Sequence, residues 1–236
     1  MLKKNSFTGF TPETIRFFRR IKKNNNKPWF EENRPVYEEH VLKPLRNLVE
    51  DLGQFMKMLD AQFDVRPQIN RTIAKIYRDT RFSRDKTLFR DHLWIVFRRH
   101  QTSLAGELCF YFEIRIDSFS YGMGFYAAPR EVMIDFKNRI LANPQKFLRI
   151  VQNPVLTETF SLDGEFYTRS PVKEYPPELE NWMKFKSFYW GHKESNKPLA
   201  FSNKLIEVLK EGFLILYPLY CYVQKMQPNV KVAYKS

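Results

Sequence analysis

Cysteine, glycine and long apolar runs are scarce in this sequence of 236 residues, and each scarcity argues against a class of protein. Its only cysteines, Cys109 and Cys221, lie in apolar runs, which is typical of buried free thiols in a reducing compartment rather than of a disulfide framework. Eight glycines are too few for long flexible linkers. The longest apolar run, residues 213–223, is about half a membrane span and contains Pro218. Because the amino-terminal residues also lack the apolar segment of a signal peptide, we expect a cytoplasmic protein with no membrane association.

Motifs that mark well-known catalytic and metal sites are absent from the sequence as well. It contains no HExxH, no pair of CxxC, no Walker loop and no GxSxG elbow. The histidines have no metal-ligand spacing; they are His40, His92, His100 and His192. Gly122-x-Gly124-x-x-Ala127 imitates a dinucleotide fingerprint, but the preceding strands alternate as an antiparallel hairpin, whereas that fingerprint needs a parallel βαβ unit. We therefore predict no metal and no cofactor, and we expect these glycines to permit close backbone approach.

Positive charge, by contrast, is abundant and concentrated. The formal net charge is +13, and the sequence pI is about 9.7. Residues 71–100 contain nine Lys or Arg and three Asp, a net charge of +6, which is about half of the excess. A basic balance favours acidic partners such as nucleic acid, phosphorylated metabolites or anionic membrane surfaces.

The densest part of this region, residues 75–92, is the main candidate site. Guanidinium groups match carboxylate and phosphate oxygens, so arginines in excess of nearby carboxylates predict an anion-binding loop. The predicted contacts are Arg78, Arg81, Ser83, Arg84, Lys86 and Thr87. Asp79 and Asp85 would orient the arginines or, in an enzyme, one of them would serve as general base. In the structural alternative, ion pairs of Arg78 with Asp85 and of Arg81 with Asp79 simply pin the loop to the sheet.

A second candidate consists of Trp29, Asn33 and Arg34. Trp29 and Asn33 are four residues apart and share one face of a helix. The indole of Trp29 would stack on a ring or base of a ligand, and Asn33 and Arg34 would form hydrogen bonds with it. In the structural alternative, Trp29 anchors the core and Arg34 pairs with Glu38. His92 is the histidine beside the charged motif, and it is a candidate proton carrier or an ordinary exposed side chain.

Hydrophobic periodicity predicts helices at both ends of the chain. Thr11, Pro12 and Glu13 carry the signals of a helix start, and residues 24–26, all Asn, end that helix. The next stretch has apolar residues every three or four positions from Val41 to Leu59, with a break expected before Pro35 and a kink near Pro44. Further helices are expected from Pro129, from Pro177 with Trp182 and Phe185 on it, and from residue 205 onward.

Alternating residues predict an antiparallel sheet in the middle of the chain. Residues 108–117 place apolar side chains on one face and polar ones on the other, and residues 119–125 continue the alternation as a hairpin partner. The polar face, with Tyr111, Glu113 and Arg115, would line a pocket beside the charged motif or face water. Residues 73–79 and the apolar run 93–97 are also predicted to be extended. A short hairpin is predicted over residues 160–168, around Asp163-Gly164.

Several of these segments resemble one family. They are FTGFTP at residues 7–12, Trp29-Phe30 with Asn33-Arg34, YRDTRFSRDKT at residues 77–87, and Gly122-x-Gly124. Together they resemble domain of unknown function 2461, a family of conserved hypothetical bacterial proteins. The likeness covers most of the chain, although residues 88–90, LFR, stand where the family tends to have Pro-Tyr-Lys. The resemblance implies a single soluble cytoplasmic domain, and it implies no particular activity.

We therefore predict one α+β domain, an antiparallel sheet flanked by helices. Its parts are a helical amino-terminal part (11–60), a sheet-rich middle (70–128) and a helical carboxyl-terminal part (129–225). The predicted function is binding of an anion, in particular a phosphate-bearing small molecule, by the loop 78–86. The alternatives are an enzyme acting on a phosphorylated or carboxylated substrate, a nucleic-acid-binding module, and a purely structural ion-paired motif.

Overall fold

A computed structural model describes residues 6–81, 83–99, 107–195 and 197–225 of the chain. Phe82 and His100, which belong to the charged region, lie outside the described residues. The architecture is α+β, as predicted: one antiparallel sheet with helices packed on it. The strands are β1 (Leu93–Phe97), β2 (Leu108–Ile114), β3 (Phe119–Phe125), β4 (Ser161–Phe166) and β5 (Phe185–Glu194). Their order across the sheet is β1-β2-β3-β5-β4, so the last strand in sequence lies inside the sheet.

Helices precede, separate and follow these strands in the chain. They are α1 (Pro12–Lys23), α2 (Lys27–Glu32), α3 (Arg34–Tyr37), α4 (Lys43–Leu59), α5 (Arg130–Ala142), α6 (Pro144–Val151), α7 (Pro154–Thr159), α8 (Glu180–Lys184), α9 (Lys197–Ala200) and α10 (Leu205–Gln224). A 3-10 turn (Pro177–Leu179) precedes α8. Within the described part of the chain, every helix falls short of the length and apolar character that a membrane crossing requires.

Prolines divide the second helical stretch, as predicted. Asn33 separates α2 from α3, and a π-helical turn (Glu38–Leu42) lies directly before α4. Pro44 has no N–H to donate to the carbonyl of His40 four residues earlier. That carbonyl instead accepts a hydrogen bond of 2.5 Å from Oγ1 of Thr14. The expected kink is therefore a local change of helix type, stabilised by a side chain of α1.

The sheet has one buried face and one open face. Cross-strand partners lie on the same face, and the register pairs Tyr111 with Val96 and Gly122, and Gly122 in turn with Gly191. The alternate positions of β2, such as Phe110, are buried. Helices α4, α5 and α10 pack on that buried face, where the ring of Phe110 lies 5.1 Å from the ring of Phe213. Both cysteines are buried free thiols, as expected.

Two predictions about extended structure are wrong. Residues 73–79 do not form a regular strand; the segment makes isolated bridges, Ile73 with Ile95 and Tyr77 with Phe89. Residues 160–168 do not form a hairpin, because Asp163-Gly164 lies inside the single strand β4, which runs along β5. Gly164 is needed there because a Cβ would lie 2.1 Å from the carbonyl oxygen of Ser187.

The predicted carboxyl-terminal part is also less helical than expected. Phe185 does not continue the helix of Trp182, because it begins β5, a ten-residue strand. The alternation of β5 is hidden in the sequence, since aromatic residues lie on both of its faces: Phe188 and Trp190 on the buried face and Tyr189 on the open face. The part of the chain after residue 129 therefore supplies two of the five strands.

Candidate functional site

Residues 75–92, the charged motif, form an irregular arm beside the outer edge of β1. Its two sides are joined by hydrogen bonds from the Arg78 N–H to the Leu88 carbonyl (2.8 Å) and from the Arg90 N–H to the Ile76 carbonyl (2.9 Å). Asn25, at the end of α1, holds this arm through its side-chain amide. It accepts a hydrogen bond from the Phe89 N–H (2.9 Å) and donates one to the Phe89 carbonyl (2.8 Å). Backbone pairing and one asparagine therefore position the motif.

The tip of the arm contains both ion pairs of the structural alternative. Nη2 of Arg81 lies 2.7 Å from Oδ2 of Asp79, and Nη1 of Arg78 donates to Asp85 and to Oγ1 of Thr87. Hydrogen bonds from Arg81 lower the pKa of Asp79 to about 2. A hydrogen bond from the Thr87 N–H, with further ones from Arg78, lowers the pKa of Asp85 to about 2. Carboxylates held in the charged form are weak bases, so this geometry does not support a general-base role.

A basic cleft of about 620 Å³ lies against this arm. The cations that line it are Arg71, Lys75, Arg78, Arg81, Arg90 and Arg98. Asp79 is the carboxylate among its lining residues, and it is already ion-paired with Arg81. The cleft thus places several positive charges around one space without a matching number of negative charges, an arrangement that attracts an anion.

Arg90 is a cation of the basic cleft that neutral groups hold in place. Its Nη1 donates to the carbonyls of Lys75 (3.1 Å) and Tyr77, and its guanidinium lies 5.0 Å from the centre of the Trp94 ring. Burial and the nearby charge of Arg78 lower its pKa. No carboxylate in the described part of the chain pairs with it. The result is a half-buried guanidinium held in place by neutral groups.

A second and larger cleft, of about 910 Å³, lies on the open face of the sheet. Tyr111, Glu113 and Arg115 all line this sheet-face cleft, which agrees with the pocket alternative for the polar face of β2. Trp94 and Val96 line both clefts, so the two spaces meet along β1.

A polar network closes one end of the sheet-face cleft. Arg115 donates to both carboxylate oxygens of Glu113, at 2.7 and 2.9 Å. Nε2 of His92 lies 3.6 Å from Glu113, and its Nδ1 lies 2.9 Å from Asp91. Burial would raise the pKa of Asp91, but hydrogen bonds from His92 and Lys22 outweigh burial and lower it. Among the described residues, no group of three or more His, Cys, Asp or Glu is placed to hold a metal ion.

The predicted contacts of the charged motif fall into two groups. Arg78 and Arg81 line the basic cleft. Four others lie on the arm outside the residues that line either cleft; they are Ser83, Arg84, Lys86 and Thr87. Lys86 is tied back to the Thr80 carbonyl at 2.9 Å.

None of the residues of the second candidate group lines either cleft. Trp29 packs 5.9 Å from the ring of Phe17, and Asn33 is buried and donates to the Trp29 carbonyl. Arg34 pairs with Glu31 at 2.7 Å rather than with Glu38. The predicted pair with Glu38 is wrong, because the chain turns at Asn33 between two helices and Glu31 lies within reach on the preceding one. These side chains have structural partners, in keeping with the structural alternative.

Cations that sequence reasoning did not single out complete the basic cleft. They are Arg71, Lys75, Arg90 and Arg98. Their signal in the sequence is the charge surplus of residues 71–100, which does not reveal which charges are already paired. Trp94 had a clearer signal, because it alternates with buried Leu93 and Ile95 and so faces the open side of β1.

Comparison with known proteins identifies one family. A family model described as conserved hypothetical protein (DUF2461) matches residues 13–222, nearly the whole chain. No curated protein and no solved structure matches the chain.

Proposed function

The chain belongs to the DUF2461 family of conserved hypothetical proteins, whose description assigns no activity, and we propose that it binds a phosphate-bearing small molecule in the basic cleft. The observation that carries this proposal is Arg90. A half-buried guanidinium with carbonyl and aromatic neighbours keeps its full charge available for an anion. Its position is fixed before a ligand arrives, which reduces the entropy lost on binding.

The other cations of the basic cleft support the same role. Lys75 and Arg71 are exposed, and neither side chain has an ion-pair partner among the described residues. They add charge that Asp79 does not offset. In this proposal, the ion pairs of the arm are the scaffold that holds the cleft wall, and the unpaired cations contact the ligand. The structural alternative therefore applies to the ion-paired tip of the arm. Anion binding is proposed for the basic cleft at the base of the arm.

Titration calorimetry with inorganic phosphate at low ionic strength tests this proposal. Arg90→Gln is expected to weaken binding at least tenfold, because a hydrogen bond to a charged group contributes about 1.5–3 kcal/mol. Lys75→Gln, at an exposed position, tests the same site with little risk to folding. Arg149→Gln is the matched control, because Arg149 lies exposed on α6, outside both clefts, and it should leave binding unchanged.

Two outcomes would contradict the proposal. One is the absence of phosphate binding by the wild-type protein at millimolar concentration. The other is equal binding by the wild-type, Arg90→Gln and Lys75→Gln proteins. A mixed-sequence single-stranded oligonucleotide is titrated in parallel. Binding of the oligonucleotide alone, with a steep dependence on salt, would point to the nucleic-acid alternative instead.

A further inference from the structure

Two glycines, Gly124 and Gly191, lie among the residues that line the sheet-face cleft. They occupy the open face of β3 and β5, where Gly124 is in register with Tyr189. A Cβ at Gly124 would lie 2.2 Å from the Cβ of Tyr189, so the missing side chain leaves room for that tyrosine. The glycines therefore allow aromatic side chains to lie over the open face of the sheet.

Several aromatic side chains line this cleft. The hydroxyl of Tyr111 reaches over Gly191, where a Cβ would lie 2.8 Å from it. Tyr189 is 40% exposed and lines the same cleft. Tyr126, also on the lining, is 72% exposed. Trp94 lies where the cleft meets the basic cleft. Rings in such positions stack readily on another planar ring.

The cleft is lined by charged side chains, among them Glu158, Asp163 and Lys193, and by neutral hydrogen-bonding groups. Arg115 neutralises the carboxylate of Glu113 at one end. The Tyr111 hydroxyl has no hydrogen-bond partner among the described residues, and burial raises the pKa of Tyr111, so the group remains a neutral donor. Tyr111 is only partly buried, so a ligand can reach this donor. A ring nitrogen or an exocyclic oxygen of a ligand would accept its hydrogen bond.

We propose that the sheet-face cleft binds an aromatic heterocycle attached to the phosphate that the basic cleft holds, so that the ligand is a nucleotide. This inference rests on the proposed function, and Trp94 and Val96 line both clefts, which are therefore neighbours. The volume of about 910 Å³ falls within the range of small-molecule sites. A nucleotide combines the two chemistries of these neighbouring clefts, a planar heterocycle and an anionic phosphate.

Calorimetry with five kinds of probe at constant ionic strength tests the inference. The probes are inorganic phosphate, ribose 5-phosphate, pyrophosphate, the four common ribonucleosides and their 5′-monophosphates. At least one monophosphate is expected to bind about tenfold or more tightly than ribose 5-phosphate, the usual effect of stacking one base on an aromatic side chain. Equal binding of ribose 5-phosphate and all four monophosphates would overturn the inference.

Variants separate the ring from the phosphate. Tyr111→Leu and Tyr189→Leu should remove the tenfold preference while leaving the affinity for ribose 5-phosphate unchanged. Phe166→Leu is the control: Phe166 is an exposed aromatic residue of the same sheet that does not line the cleft. If both tyrosine variants keep the preference, the ring site is not here and the inference fails.

The probes also distinguish failure of this inference from failure of phosphate binding. Binding of a nucleoside without binding of phosphate, pyrophosphate or ribose 5-phosphate would overturn the proposed function and leave the ring site standing. Binding of the phosphate probes without any preference for a monophosphate would overturn the ring site alone. No binding by any probe would overturn both.

Discussion

Lys137 offers a sharp test of the energetics of this fold. It lies on α5 with no solvent exposure, and its Nζ has no hydrogen-bond partner among the described residues. Its amine lies 4.9 Å from the centre of the Tyr167 ring. Burial lowers the pKa of Lys137 from 10.5 to about 8. We expect Lys137→Met, which has a similar length and no charge, to stabilise the protein at pH 7.

The size of the expected gain in stability follows from the shift in the pKa of Lys137. Lowering a pKa from 10.5 to about 8 corresponds to about 3 kcal/mol of penalty for the charged form. Loss of the contact with the Tyr167 ring offsets about 1 kcal/mol of that penalty. The expected increase in the free energy of unfolding at pH 7 is therefore about 2 kcal/mol.

The same shift predicts how the gain depends on pH. Below pH 8 the lysine is protonated in both the folded and the unfolded state, so the folded protein bears the full penalty. Between pH 8 and 10.5 the unfolded state binds more protons than the folded state, so wild-type stability rises with pH. The advantage of Lys137→Met should therefore fall below about 1 kcal/mol at pH 10.

Urea unfolding at pH 7 and pH 10 measures both quantities. Lys146→Met is the control, because Lys146 lies exposed on α6 and its substitution should change stability little at either pH. The reasoning is refuted if Lys137→Met is no more stable than wild type at pH 7. It is also refuted if the gain is the same at both pH values.

Two further predictions concern the sheet and the arm. Gly122→Ala should destabilise the protein by about 1–3 kcal/mol, because a Cβ would lie 2.0 Å from the carbonyl oxygen of Trp190 and force β3 and β5 apart. Gly53→Ala in α4 is the control, because a Cβ at Gly53 would have only ordinary van der Waals contacts, and it should be neutral or stabilising in the same urea assay. Equal effects of the two substitutions would argue against the close approach at Gly122. Asn25→Ala should cost about 1–3 kcal/mol and accelerate hydrogen exchange of the Phe89 amide, which loses its acceptor; an unchanged exchange rate would contradict this.

Local chemistry explains why much of the fold was predictable. Proline, asparagine and apolar spacing define α1 and the break before α3, and strict alternation defines the hairpin of β2 and β3. These signals act over a few residues, so they are visible in one sequence. β5 was missed because its neighbours in the sheet are distant in the chain and because aromatic residues lie on both of its faces. The single-domain organisation remains a prediction.

The candidate site divides in the same way. The sequence by itself determined where positive charge is concentrated, that Asp79 and Asp85 are available to pair with arginines, and that β2 has a polar face. Only the tertiary structure decided which charges are paired, because ion pairing depends on distances between side chains that the order of residues does not specify. It placed Arg90 on Trp94, where no carboxylate of the described residues pairs with it. It also brought Gly122 and Gly191 together by inserting β5 beside β3, and this long-range pairing placed Tyr189 beside Gly124 on the open face of the sheet.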